Sequence, residues 1–304
     1  MIKINLNKQE TSSKNYLFLL LYPLSSILSP LFSLLILLLP GPIAGQQQPP
    51  LDLRPSFSKR LPYSQVCGVV VCQSDIPLSR MQTIISEISQ LQTDLKNYLA
   101  IPGATEKIEL CIFSTEKAYL NFLKQEFPGA PTDRRALYVK KAGEPGIVLL
   151  QKTDDFEIDL RHEMTHAIIH ASIHSVPIWL DEGLAKYFEQ KPEDRAFRNP
   201  YLSKIRLAAR FGVVPSLERL ENLEHIGEMD VREYRESWAW VHYLIHGSPQ
   251  THQLLAGYLQ MLAQRPNTPP GKSSRPLPKL SPYLRRTING PVADYKRHYK
   301  NWTE

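Results

Sequence analysis

Residues 162–166 read His162-Glu163-Met164-Thr165-His166, preceded by Asp155-Phe156-Glu157-Ile158-Asp159-Leu160-Arg161 and followed by Ala167-Ile168-Ile169-His170. Leu160, Met164, Ala167, Ile168 and Ala171 recur at three- and four-residue spacing, which predicts a helix with one buried stripe. On that helix the two histidines share a face, about 6 Å apart along the axis, close enough for both imidazoles to reach one metal ion. Two such imidazoles suit zinc. Glu163 follows the first histidine, so its carboxylate falls beside the ion's open position and can take a proton from water instead of ligating.

A catalytic zinc keeps three protein ligands and leaves a fourth position to water. His170 and His174 continue the same ladder, but on a straight helix His170 lies about 12 Å from His162, too far to converge on one ion. The extended pattern with Gly at 169 and His at 172 is absent, because those positions are Ile169 and Ser172. Downstream runs Pro177-Ile178-Trp179-Leu180-Asp181-Glu182-Gly183-Leu184-Ala185. Pro177 ends the first helix, and a second one from about Ile178 to Gln190 returns antiparallel with Glu182 facing the metal.

H-E-x-x-H followed by W-L-x-E-G-x-A resembles the gluzincin zinc metallopeptidases, in which the glutamate of the second motif is the third ligand. Carried over, the resemblance implies one Zn2+ per chain held by His162, His166 and Glu182, with Glu163 as general base. The strands and helix over Ile108 to Phe113, Ala118 to Phe122, Leu137 to Val139 and Ile147 to Leu150 are similar to the bacterial peptidase-MA-like family of that clan. So is Tyr234 to Leu244, and the similarity runs from about residue 105 to 264. The chain departs from its larger relatives in two ways. Only fifteen residues separate His166 from Glu182, and the G-x-M-E-N exopeptidase motif is absent.

The resemblance implies an α+β, zincin-like fold: a small mixed β-sheet over an active-site helix, with a mostly helical second lobe. It also implies that residues 146 to 151 are an edge strand holding an extended substrate by main-chain hydrogen bonds, unless that hairpin is purely structural. A hydrogen-bond donor for the tetrahedral oxyanion is expected on the second lobe. Tyr234 is the candidate, with His225, His242 and Tyr243 as competitors. Asp181 or Asp159 is expected to orient a ligand imidazole through its other ring nitrogen.

Outward from this centre the chain is less explicit. Between Lys14 and Asp52 there is no charged residue, and Tyr16 to Leu39 is almost wholly apolar behind Lys3, Lys8 and Lys14. That is an export signal, either cleaved after Gly45 or retained as a membrane anchor. The domain is therefore expected outside the cytoplasm, whether periplasmic, secreted or membrane-anchored. The formal net charge of +6 is small for a nucleic-acid binder, no basic and aromatic cluster accompanies it, and nucleic acid is not an expected partner.

Cys67, Cys72 and Cys111 fit no metal or redox spacing. Either Cys67 or Cys72 bonds Cys111, or all three are buried thiols. Leu61 to Gln73 reads as one strand, Pro77 to Leu99 as a helix, and Ala136 to Lys141 with Gly146 to Gln151 as a hairpin. Pro200 to Phe211, Ser237 to His246 and Gln250 to Gln264 read as helices. The organisation expected is residues 1–45 as leader or anchor, 46–65 as a Pro/Gln-rich linker and 66–264 as the zincin-like domain. A Pro-rich linker over 265–282 and a basic, aromatic C-terminal helix over 283–304 complete it. The function expected is zinc-dependent hydrolysis of peptide or protein substrates. The alternative is an exported zincin-like metal-binding or scaffold domain without proteolytic activity.

Overall fold

A computed structural model describes residues 2–4, 17–20, 57, 59–77, 79, 82–104, 106–141, 144–266 and 276–302. The architecture is mixed α/β. Five strands, β1 (Tyr63–Cys67), β2 (Val70–Ser74), β3 (Ile108–Phe113), β4 (Ala136–Lys141) and β5 (Gly146–Gln151), form a sheet in the order β1-β2-β3-β5-β4. β2, β3 and β5 run parallel, while β1 and β4 are antiparallel to their neighbours. The outer side of β4 pairs with Leu17–Leu20, which pairs in turn with Ile2–Ile4. These are the only described parts of the leader or anchor expected over 1–45, and the rest of that segment lies outside the described residues.

The strands read as continuous apolar runs because both faces of the sheet are covered. Val70, Cys72, Ile108, Leu110, Ile112, Tyr138, Val148 and Leu150 pack toward α1 (Gln82–Leu99) and α3 (Phe156–His170). Cys111, Phe113, Leu137, Val139, Ile147 and Leu149 pack toward α2 (Glu116–Glu126), which Thr115 caps by accepting from the Ala118 N–H. Phe57 and Leu61 join that second core at 1% exposure each, so the stretch grouped with the linker is folded into the body from about residue 57.

Two expectations are corrected here, and an open alternative is decided. The single strand over Leu61 to Gln73 is a hairpin, because Gly68 adopts φ +59° and turns the chain back. That turn puts Cys67 and Cys72 on one face and Cys111 on the other; none of the three is in a disulfide and all are buried, and burial pushes the Cys72 thiol up to about 12. Finally, Gly146–Gln151 is not an edge strand. β5 is bonded on one side to β3 and on the other to β4, so it has no free edge for a substrate. The alternating hydrophobicity of a hairpin says nothing about which of its strands lies outside.

The helical part begins with α4 (Ile178–Phe188), α5 (Leu202–Arg210), the short α6 (Leu217–Leu220), α7 (Val231–His246) and α8 (Pro249–Ala263). α7 starts a turn and a half earlier than its apolar period suggests. Asp230 accepts from the Arg232 N–H at 2.6 Å and Glu233 accepts from the Asp230 N–H at 3.2 Å, a capping box that draws Tyr234 into the first turn. α4 and α7 meet at Gly183. A Cβ there would lie 2.7 Å from the Ser237 carbonyl oxygen and 2.8 Å from Val241 Cγ2. Gly183→Ala therefore lowers stability by about 1–3 kcal/mol, read from the urea midpoint at unchanged m-value.

Two closing helices, α9 (Ser281–Thr287) and α10 (Pro291–Asn301), replace the one expected. Residues 267–275 of the Pro-rich linker lie outside the described residues, but its end is anchored: Glu221 accepts from the Ser281 N–H at 2.9 Å and the Ser281 hydroxyl at 2.6 Å. α10 is basic outside and aromatic inside. Tyr299 donates to the Ala239 carbonyl at 2.6 Å, and Trp302 donates to the Ala196 carbonyl at 2.9 Å. His298 Nε2 lies 3.2 Å from His242 Nδ1.

Burial lowers His246 and His298 to about 4 each, and neighbouring histidines add to it. Between about pH 6.5 and 4 the unfolded chain therefore binds protons that the folded chain excludes, and stability falls as pH falls. His298→Asn should reduce the loss measured between pH 7 and pH 5 by about 2 kcal/mol in urea unfolding.

Among the described residues no helix is long and apolar enough to cross a membrane.

Candidate metal centre

α3 is buried almost all round, lying between the sheet and the helices, with His162 4%, Glu163 2% and His166 0% exposed. It is held in place by ions at its start. Arg135 pairs with Asp155 at 2.8 Å and with Asp159 at 2.6 Å, and Arg161 pairs with Glu87 of α1 at 2.8 Å. Asp159 is thus occupied by Arg135 and is not the orienting carboxylate.

The side chains that the spacing put together do converge. Ligand atoms of His162, His166 and Glu182 all lie within 4.8 Å of one another. The two Nε2 atoms are 3.4 Å apart, and His166 Nε2 is 3.9 Å from Glu182 Oε2. Atoms bonded at about 2.0–2.1 Å to one tetrahedral ion lie about 3.3 Å apart, so this spacing fits zinc. The donor set fits it too. Glu182 is fully buried, neither of its oxygens accepts a hydrogen bond among the described residues, and Asp181 and Glu163 stand close by. Burial, then those two charges, drive its carboxyl well above the usual range. A divalent cation between Glu182 and two neutral imidazoles removes that penalty.

Each of these two imidazoles turns its Nδ1 to a carboxylate. Glu189 Oε2 is 2.7 Å from His162 Nδ1, and Asp181 Oδ1 is 3.0 Å from His166 Nδ1. Asp181 Oδ2 also lies 3.0 Å from His170 Nε2, so the histidine rejected as a ligand braces the carboxylate that braces His166. Tyr138 of β4 stacks on both rings, at 6.4 Å from His166 and 5.9 Å from His170. Glu189 is a partner that the motif did not reveal. Its signal was spacing: it lies two helical turns past Glu182, and Lys186 between them holds it at 2.9 Å. Glu189→Gln should weaken zinc about 10–100-fold in competition with a chelating dye while the far-ultraviolet dichroism stays unchanged.

Glu163 does not point at a histidine. The Tyr138 main-chain N–H donates to its carboxylate, and burial, then the Asp159 charge, raise its pKa well above the usual value. Tyr234 comes to the same place from α7. It is 2% exposed, its phenol is raised by burial and then by the Glu182 charge, and Lys186 Nζ lies 6.0 Å from its ring centre. Its competitors are engaged elsewhere. His225 is exposed in a turn, His242 packs against Tyr299 and Trp302, and Tyr243 donates to Asp294 at 2.8 Å.

No family model matches the chain, and no curated protein matches it. Among solved structures it is similar to an M1 zinc metallopeptidase from Deinococcus radiodurans. Identity is 13% and the TM-score 0.37, over 78% of this chain and 50% of that one. A mutant of the same enzyme gives 13% identity and a TM-score of 0.36, over 79% and 51%. Both neighbours are zinc metallopeptidases. The chain spans about half the length of either, and a likeness this shallow transfers no activity.

Proposed function

We propose that the protein is a zinc-dependent peptidase. The observation that supports this best is Glu182. It is a fully buried carboxylate with no hydrogen-bond partner among the described residues, 3.9 Å from a histidine whose Nε2 is 3.4 Å from a second one. His162, His166 and Glu182 would hold the ion. When bound there, zinc lowers the pKa of a water toward 7 and polarises the substrate carbonyl.

The chain's own residues do the rest. Glu163 takes a proton from the attacking water as its oxygen bonds to the peptide carbon, and returns that proton to the departing amine when the C–N bond breaks. Tyr234 donates a hydrogen bond to the carbonyl oxygen as negative charge builds there. Glu189 and Asp181 fix the two imidazoles with Nε2 inward. The strand that meets the site is β4, because its Tyr138 N–H reaches Glu163 and its ring covers His166. An extended peptide added to the outer side of β4 would take the register now held by Leu17–Leu20.

The test joins metal content to turnover. Purified chain should carry about one zinc and cleave members of a random peptide library, with cleavage stopped by a chelator and restored by zinc. About one zinc with no cleavage across the library would leave a metal-binding scaffold. A folded chain with no zinc would end both readings.

A further inference from the structure

The three most exposed large hydrophobic side chains among the described residues fall within seven positions of one another: Leu207 at 56%, Phe211 at 80% and Val213 at 60%. α5 buries Leu202, Ile205 and Ala209 against the body, which leaves Lys204, Leu207 and Phe211 at helical spacing on the outer face. The chain then turns at Gly212, with φ +82° and nothing within 4 Å of where a Cβ would sit, and Val213 follows on the far side of the turn. The result is a convex apolar tip, not a groove.

Its charge is one-sided. Between Asp194 and Glu218 the chain has no acidic residue, while Lys204 and Arg210 stand exposed beside the tip and Arg206 is half-exposed. The two bounding acids are already engaged, Asp194 by Arg198 at 3.3 Å and Glu218 by Arg285. Protruding apolar side chains flanked by cations with no acidic partner among the described residues match an anionic bilayer surface. The apolar atoms enter the headgroup and acyl boundary to about 5–10 Å, and the cations meet the phosphates. A protein partner would more naturally fit a concave or flat face with mixed charge.

We propose that the tip formed by Leu207, Phe211 and Val213, with Lys204 and Arg210, docks the folded domain onto an anionic phospholipid surface. This contact is separate from any anchorage by the N-terminal segment and independent of the metal reading.

The test reads the tip directly, so that the N-terminal apolar run cannot mimic it. Full-length Phe211→Trp is mixed with vesicles whose acyl chains carry bromine, made either of phosphatidylglycerol or of phosphatidylcholine. The wild-type signal is subtracted; Trp179, Trp238 and Trp240 are buried, and the subtraction also removes any change from the half-buried Trp302. Docking predicts that the introduced indole is quenched by phosphatidylglycerol and little by phosphatidylcholine. It also predicts that Lys204→Glu with Arg210→Glu weakens the quenching titration at least about tenfold, with zinc content and circular dichroism unchanged. Equal emission with and without vesicles, in a chain that still sediments with them, would overturn the proposal. Concentration-dependent blue-shifted emission in the absence of vesicles would also overturn it and assign the tip to a second copy of the chain.

Discussion

Glu163→Gln should retain about one zinc per chain and lose kcat/KM by about 10²–10⁴-fold on any peptide the wild type cleaves. The substitution keeps shape and volume. A glutamine oxygen can still accept from the Tyr138 N–H, and His162, His166 and Glu182 are untouched. What disappears is the ability to accept a proton and give it back. The measurement is steady-state turnover beside zinc content on the same preparation. Retained zinc with retained turnover would mean that another group is the base. Loss of both would mean that Glu163 serves the metal site itself.

Glu182→Ala should remove zinc by more than the 10–100-fold that loss of an outer carboxylate costs. It also has a signature that simple damage does not produce. In the metal-free protein Glu182 is a buried acid without a hydrogen-bond partner among the described residues, beside Asp181 and Glu163. Deleting it relieves that cost and offsets the cavity it leaves. The metal-free variant should therefore melt at or above the metal-free wild type. Zinc stabilises the wild type by mass action, about 2.7 kcal/mol at a hundredfold excess over Kd, and should not stabilise the variant. Melting curves of both proteins with and without zinc decide it. A variant that is still stabilised by zinc would show that the third ligand lies elsewhere.

The centre was legible because its chemistry is local. Two histidines four apart and a carboxylate between them need only one helix, and Pro177 with the second motif supplies the other. The carboxylates behind the ligands were harder. Asp181 and Asp159 looked equivalent along the chain, yet Arg135 takes Asp159, a fact that depends on how the start of β4 lies against α3. Glu189 stands at the end of α4, within the helix that the sequence predicts to Gln190, but its contact with His162 depends on how α4 crosses α3. His170 stands outside the cluster of His162, His166 and Glu182, and its pairing with Asp181 arises from the angle between two helices, which no periodicity encodes. The sheet shows the same limit. Strand positions followed from apolar runs, whereas strand order decided that β4 and not β5 meets the site.

The glycine after the third candidate ligand also governs how closely the two helices behind the centre pack. At Gly183 α4 lies so close to α7 that a Cβ would meet the Ser237 carbonyl and Val241. Glu182 and Tyr234 are consequently carried on two tightly packed helices that form one side of the candidate site. On the proposed reading, room for a polypeptide would be made on the other side, where β4 and the Tyr138 ring lie over the histidines.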